Sequence, residues 1–219
     1  MVFQREYDKA IGYYEQALEI DKVYYGDSHP TIATRYNNLG LAWDSKGEYD
    51  KAIGYYEQSL EIGKAYYGDS HPDIATRYNN LGLAWDSKGE YDKAIGYYEQ
   101  ALEIGKAYYG DSHPDIATRY NNLGMAWYSK GEYDKAIGYY EQALEIGKAY
   151  YGDSHPDIAI RYNNLGGAWD SKGEYDKAIG YYEQALEIMQ QFLGEDHPST
   201  KTVKKNLVLC ISERDKKQT

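Results

Sequence analysis

The sequence predicts an all-α chain, a stack of helical hairpins, and three observations carry that expectation. A 42-residue unit recurs along most of the chain, with Tyr-Asn-Asn-Leu-Gly ending at Gly40, Gly82, Gly124 and Gly166. Within a unit, apolar residues fall three and four apart, the period of a helix. Nowhere does a run alternate Val, Ile or Thr with polar residues, as a half-buried strand would. Residues 48–89 and 90–131 differ only at Ser59/Ala101, Leu83/Met125 and Asp86/Tyr128, so chance similarity is excluded.

Each unit reads as two helices. The first opens at His71-Pro72-Asp73. Proline suits a first helical turn because its missing N–H has no partner there, and aspartate suits the positive end of the helix dipole. Ser70 or His71 is the expected cap. Ile74, Tyr78, Leu81 and Trp85 form the apolar stripe, and Lys88-Gly89 closes the helix. The second helix starts near Tyr91, carries Ala94, Ile95, Tyr98, Ala101, Leu102 and Ile104, and ends at Gly110-Asp111-Ser112. Neither stripe can be buried by one hairpin, so stability must come from stacked neighbours. The small residues Gly82, Ala94 and Ala101 are expected opposite the large Trp85 and Tyr98.

The expected organisation is one solenoid over residues 1–219 with about ten helices. Residues 1–29 hold a second-type helix without its partner. Residues 30–194 hold four helix pairs of 42-residue period, and residues 195–219 hold a first-type helix. There Lys204 replaces the repeat's Tyr162 and a charged tail follows, which reads as a solubilising cap.

Composition narrows the function. The net charge is −11, with a pI near 4.9, which disfavours phosphate backbones and hence nucleic acid as partner. Cys210 is the only cysteine, so no disulfide framework forms within the chain. Residues 1–5 show no apolar signal segment, and the longest apolar run, Leu207 to Ile211, is far too short to span a bilayer. A cytoplasmic protein with no membrane partner is the default expectation. The tyrosine content, 28 residues against 2 Phe, follows from the repetition itself.

The pattern Leu81-Gly82-x-x-Trp85-x-x-x-Gly89-x-Tyr91-x-x-Ala94-x-x-x-Tyr98-x-x-Ala101-Leu102 resembles the tetratricopeptide repeat. It departs from that family in its period, 42 instead of 34, and in Lys106 at the place of the late proline. The extra residues correspond to Ala107 through Pro114. This longer form, with its Gly-Asp-x-His-Pro turn, is similar to the repeats of kinesin light chains and related prokaryotic proteins. The resemblance implies a right-handed superhelix of antiparallel helix pairs. It also implies a concave groove, lined by the first helix of each repeat, that binds a peptide or protein segment, with no catalytic role.

Differences among the copies point to one helix face. The first helix varies at Thr34/Thr76/Thr118/Ile160, at Leu41/Leu83/Met125/Gly167 and at Asp44/Asp86/Tyr128/Asp170. At about 100° per residue, these positions and the asparagines Asn37, Asn79, Asn121 and Asn163 share an arc of about 80°. The tryptophan falls on the opposite side. These sixteen residues are the candidate groove, an asparagine ladder on an acidic floor suited to a basic or neutral peptide. Drift on a solvent-facing surface would give the same variation, and asparagine also bonds locally. The second asparagine of each pair, Asn38, Asn80, Asn122 and Asn164, reads as structural.

Other chemistry has simpler explanations. Asp69-Ser70-His71 holds triad residue types, but adjacent residues do not converge as a triad does, and a capped turn accounts for them. His29, His71, His113, His155 and His197 come once per repeat with no second ligand type nearby, which argues against a metal site. The glycines stand singly, not in a phosphate-binding loop, and no cofactor is expected. An alternative to ligand binding is head-to-tail self-association. The chain enters on a second-type helix and leaves on a first-type helix, complementary halves of one hairpin.

Overall fold

The computed structural model describes the backbone of residues 2–218 and the side chains of residues 6–217. Residues 1–5, read above for a signal segment, therefore lie outside the described side chains. Among the described residues there are ten α-helices and no strand. They fall into two compact units, residues 1–110 and 111–219. The first unit holds α1 (Val2–Tyr25), α2 (Pro30–Ser45), α3 (Tyr49–Tyr67), α4 (Pro72–Ser87) and α5 (Tyr91–Tyr109). The second holds α6 (Pro114–Ser129), α7 (Tyr133–Tyr151), α8 (Pro156–Ser171), α9 (Tyr175–Leu193) and α10 (Pro198–Gln218). In each unit, even-numbered helices are first-type and odd-numbered helices second-type, and consecutive helices pack together.

Helix ends follow from local chemistry. The first-type helices α4, α6 and α8 are capped by His71, His113 and His155, whose Nδ1 accepts the backbone N–H of the aspartate two residues on, at 3.2 Å. The cap is thus the histidine, not the serine before it. Each of these imidazoles must present Nδ1 unprotonated, so the proton of the neutral ring sits on Nε2. At the other end, Gly89 N–H donates to Asp86 C=O (2.8 Å) and Glu90 N–H to Trp85 C=O (2.9 Å). This Schellman pair needs a left-handed residue, and Gly89 takes φ +83°. The last helix shows the converse. Asp215 stands where the repeat has Gly173, and α10 runs on to Gln218, past the expected end near Arg214.

Within a hairpin, a glycine on the first-type helix receives a tyrosine ring from the second. A Cβ on Gly40, Gly82, Gly124 or Gly166 would lie 2.5–2.7 Å from the ring of Tyr56, Tyr98, Tyr140 or Tyr182. These tyrosines are buried, as are Ile74, Leu81, Ala94 and Ala101. Trp85 is only half-buried, and the Lys93 ammonium lies over its ring, 4.0 Å from the centroid.

Between hairpins, the second-type helix meets the next first-type helix at one recurring slot. Gly63 on α3 and Gly147 on α7 make room for the buried Arg77 and Arg161, whose guanidinium atoms a glycine Cβ would meet at 2.9–3.1 Å. Ser59 Oγ accepts from Arg77 Nε (2.9 Å) and donates to Ala33 C=O (2.7 Å), so one hydroxyl ties α2, α3 and α4. At the start of the chain the slot holds Asp21, paired with Arg35 at 2.6 Å. At the end it holds Met189, and the arginine has become Val203, both buried in one cluster.

Candidate functional site

The sixteen candidate residues lie on the first-type helices α2, α4, α6 and α8. Thr34, Thr76, Thr118 and Ile160 are exposed, while the four asparagines are half-buried. The threonine hydroxyls already have partners. Thr34, Thr76 and Thr118 donate to the C=O four residues back, at 3.2–3.4 Å. What these positions offer a ligand is therefore a methyl group more than a hydroxyl.

The asparagines form a ladder of a kind that repeat spacing alone does not announce. Asn80 Nδ2 donates to Asn37 Oδ1 at 2.8 Å in the first unit. Asn164 donates to Asn121 at 2.9 Å and Asn206 to Asn163 at 3.0 Å in the second. Each rung joins the first asparagine of one repeat to the second asparagine of the next, one period plus one residue apart. The amide acceptor expected to meet a peptide is thus in use between repeats. Asn121 Nδ2 also points at Met125 Sδ, 3.5 Å away. The amide groups of this face are thus held in place by their neighbours.

Carboxylates at the third variable position are half-buried. Asp44 and Asp86 each have one oxygen out of contact with water and without a hydrogen bond. Burial holds both carboxyls above their ordinary pKa. The hydroxyls of Tyr56 and Tyr98 are pushed well above the usual phenol range, chiefly by burial and secondarily by these carboxylates. In the second unit the same position carries Tyr128, whose hydroxyl lies 2.9 Å from Ser171 Oγ. At the next copy, Asp170 adds to the effect of burial on the Cys210 thiol, which is pushed up to about 12 chiefly by burial.

Five candidates converge. Met125, Tyr128, Asn163, Gly167 and Asp170 line one pocket of about 470 Å³ in the second unit, together with Asn206 of α10. Asn206 is not among the sixteen candidates, although it aligns with Asn164 one period earlier. In the first unit, Thr34, Asn37 and Thr76 line a smaller pocket of about 190 Å³ with Asp73 and Arg77. Gly167 has no packing reason to be glycine: its Cβ would meet only Tyr182 Oη, at 3.7 Å. A glycine inside a helix costs about 1 kcal/mol relative to alanine.

No group of three metal-ligating side chains occurs among the described residues, and no helix there is long and apolar enough to cross a membrane. Helical hairpins packed in series, with a polar ladder and pockets on the first-type helices, define a helical-repeat scaffold. One tetratricopeptide repeat model matches residues 2–62, 44–104, 87–146 and 128–171, and a second such model matches residues 158–199. The chain belongs to the tetratricopeptide repeat family, a family of non-enzymatic scaffolds that suggests protein–protein interaction.

Among solved structures, BtubC (BKLC) from P. vanneervenii is similar with a TM-score of 0.71 and 24% identity, over 97% of this chain and 88% of that one. Nearly identical TPR-like repeats of a kinesin light chain-like protein from Podosopora anserina give a TM-score of 0.75 at 22% identity, over 87% of this chain and 90% of that one. A singly substituted form of those repeats gives the same values. At such identities the likeness concerns the fold, and it agrees with the resemblance of the repeats to those of kinesin light chains. A search of the curated proteins finds no match.

Proposed function

We propose that this protein is a cytoplasmic interaction scaffold that binds a peptide or protein segment along its first-type helices. The observation that carries this reading is the convergence of Met125, Tyr128 and Gly167 with Asn163 and Asp170 around one pocket. The first three stand at positions where the copies differ, while the glycine–tyrosine contacts beneath them keep their residues. The asparagine ladder supplies ordered amide donors beside the pocket, suited to the carbonyl groups of an extended chain. Asp44, Asp86 and Asp170 on the same helix face favour a basic or neutral partner over an acidic one. The test is selection of a peptide-display library on the immobilised protein, followed by amide chemical-shift mapping of an enriched peptide. Shifts confined to α2, α4, α6, α8 and α10 are expected, with binding that weakens as salt rises. Shifts confined to second-type helices would sink the reading.

Self-association is the second reading. It has in its favour the exposed Tyr13, Ile20, Val23 and Tyr24 of α1. Rebuilding a repeat by docking α1 of one copy on α10 of another meets an obstacle. Val208 stands where Gly166 admits a tyrosine ring, and even a Cβ at that glycine would come within 2.7 Å of Tyr182. Val208 therefore blocks Tyr14 in the register that the other hairpins use. Light scattering should give one mass over a wide concentration range, and a mass that rises with concentration would restore the second reading.

A further inference from the structure

The pocket at Gly167 has a composition of its own. Where Leu41 and Leu83 stand in the first unit and Met125 one repeat earlier, α8 has no side chain at all. The added space is not demanded by packing, since a Cβ there reaches nothing closer than Tyr182 Oη at 3.7 Å. A helix-interior glycine lowers helix stability; Gly54, Gly96, Gly138 and Gly180 are equally unpacked, and what sets Gly167 apart is that it opens into a pocket. Beside it, Tyr128 replaces the aspartate that both first-unit copies carry at this place. Tyr128 and Met125 are both partly exposed. Tyr128 is held in place by Ser171 and leans on Tyr133, with ring centroids 5.6 Å apart. Of the residues lining the pocket, Asp170 alone carries a charge, and it is negative. Asn163 and Asn206, bonded to each other at 3.0 Å, complete the polar wall.

We infer that this pocket is the anchor subsite of the scaffold and takes a single arginine side chain of the bound peptide. The inference rests on the proposed peptide-binding reading and adds to it the chemistry of one ligand residue. A planar guanidinium stacks on the exposed tyrosine face, and its N–H groups reach the Asp170 carboxylate at one edge. Its hydrocarbon stem lies against Met125, a flexible and polarisable surface suited to an irregular fit. A neutral isostere loses both the ion pair and the cation–π contact. An acidic side chain is repelled by Asp170 and by the net charge of −11.

The experiment runs the same peptide-display selection on three proteins: wild type, Gly167→Leu and Gly167→Ala. Leucine is the repeat's own residue at this position, so the first variant should fold, which circular dichroism checks. It fills the pocket, whereas alanine leaves it largely open and favours the helix. Peptides enriched on wild type should share one arginine. Fluorescence anisotropy with a labelled enriched peptide should show binding at least ten-fold weaker to Gly167→Leu and within two-fold of wild type to Gly167→Ala. Replacing the shared arginine by citrulline should weaken binding to wild type by a similar factor. Peptides that bind wild type and Gly167→Leu alike, or that lack a shared arginine, overturn the subsite and leave the peptide-binding reading standing. Equal losses in the alanine and leucine variants overturn it too, since backbone stiffness and not space would then matter. If no peptide is enriched on any of the three, both readings fall.

Discussion

Arg77 in the first unit and Arg161 in the second occupy the same place in nearly the same sequence, yet their surroundings differ by one atom of consequence. Arg77 Nε donates to Ser59 Oγ at 2.9 Å. Ala143 stands where Ser59 would be, and Arg161 Nε is buried without a hydrogen bond. Burial lowers both guanidinium pKa values from their ordinary level, opposed by a nearby aspartate in each case. Both remain charged. A repeat joint of this kind needs room for the arginine, which Gly63 and Gly147 give in both units. It does not need a full set of partners. Arg161 stays because Nη1 still reaches Asp157 C=O at 3.2 Å and because its stem packs.

The largest expected effect comes from taking that room away. Gly147→Met would place a Cβ 2.9 Å from Arg161 Nη1 and from Ile158 Cδ1, before the rest of the side chain is counted. Overpacking of this kind costs about 1–3 kcal/mol. The α9–α10 joint shows the compensated form, Met189 clustered with Val203 and with Thr200 where α8 has Ile158. Gly147→Met combined with Arg161→Val should therefore lose less stability than the two single changes added together. Coupling between touching residues is about 0.5–3 kcal/mol. Urea unfolding of the four proteins in the cycle measures it, and strict additivity would show that the methionine–valine pair is not a matched solution.

Smaller effects should come from exchanging the hydroxyl. Ser59→Ala makes the first unit like the second and strips Arg77 Nε and Ala33 C=O of a shared partner, a loss of about 1–2 kcal/mol. Ala143→Ser makes the second unit like the first and should gain about 0.5–1 kcal/mol by giving Arg161 Nε an acceptor. Melting temperatures of the two variants should move in opposite directions. If both fall, the space at Ala143 is too tight for a hydroxyl and the two joints differ in more than one atom.

Much of this molecule is legible in its sequence, because repetition states each local rule several times. The His-Pro start, the Lys-Gly end and the glycine opposite a tyrosine can be read from one unit and checked on the others. The joints cannot be read in this way. Ser59 and Gly63 meet Arg77 from a different helix, at separations set by the turn between the helices and not by the repeat length. The asparagine rungs hide for a related reason. Their separation of 43 residues pairs two different positions of the repeat, whereas alignment of the copies shows only like with like. The variable face is legible as an arc on a wheel. Which of its residues meet in a pocket is not, since that depends on how α6, α8 and α10 lie against one another within the second unit.

The smallest effect concerns pH and the variable face of the first-type helices, where the units also differ. The first unit carries Asp44 and Asp86, and the second carries Tyr128 and Asp170 at the same positions. Burial raises the carboxyls of Asp44 and Asp86 above their ordinary value of 3.8 in the folded protein. An acid whose pKa is higher folded than unfolded binds its proton more tightly in the native state. The stabilisation it gives is complete below the unfolded value of 3.8 and is lost as pH rises through the raised folded value. At neutral pH these two groups therefore weigh against folding. The combined change Asp44→Asn and Asp86→Asn should raise the melting temperature at pH 7 and leave it nearly unchanged near pH 3.5, with the difference opening between 3.8 and the raised folded values. Tyr128→Asp tests the converse by adding a carboxylate to α6, the one of the four copies without it, and should lower the melting temperature at pH 7. Ion pairs such as Lys46 with Asp8, 2.7 Å apart, are common to wild type and variants and cancel in the comparison. A melting-temperature difference that stays constant from pH 3.5 to 7 would mean that the asparagine variants act through packing, and the buried carboxylates would then have no part in the pH response.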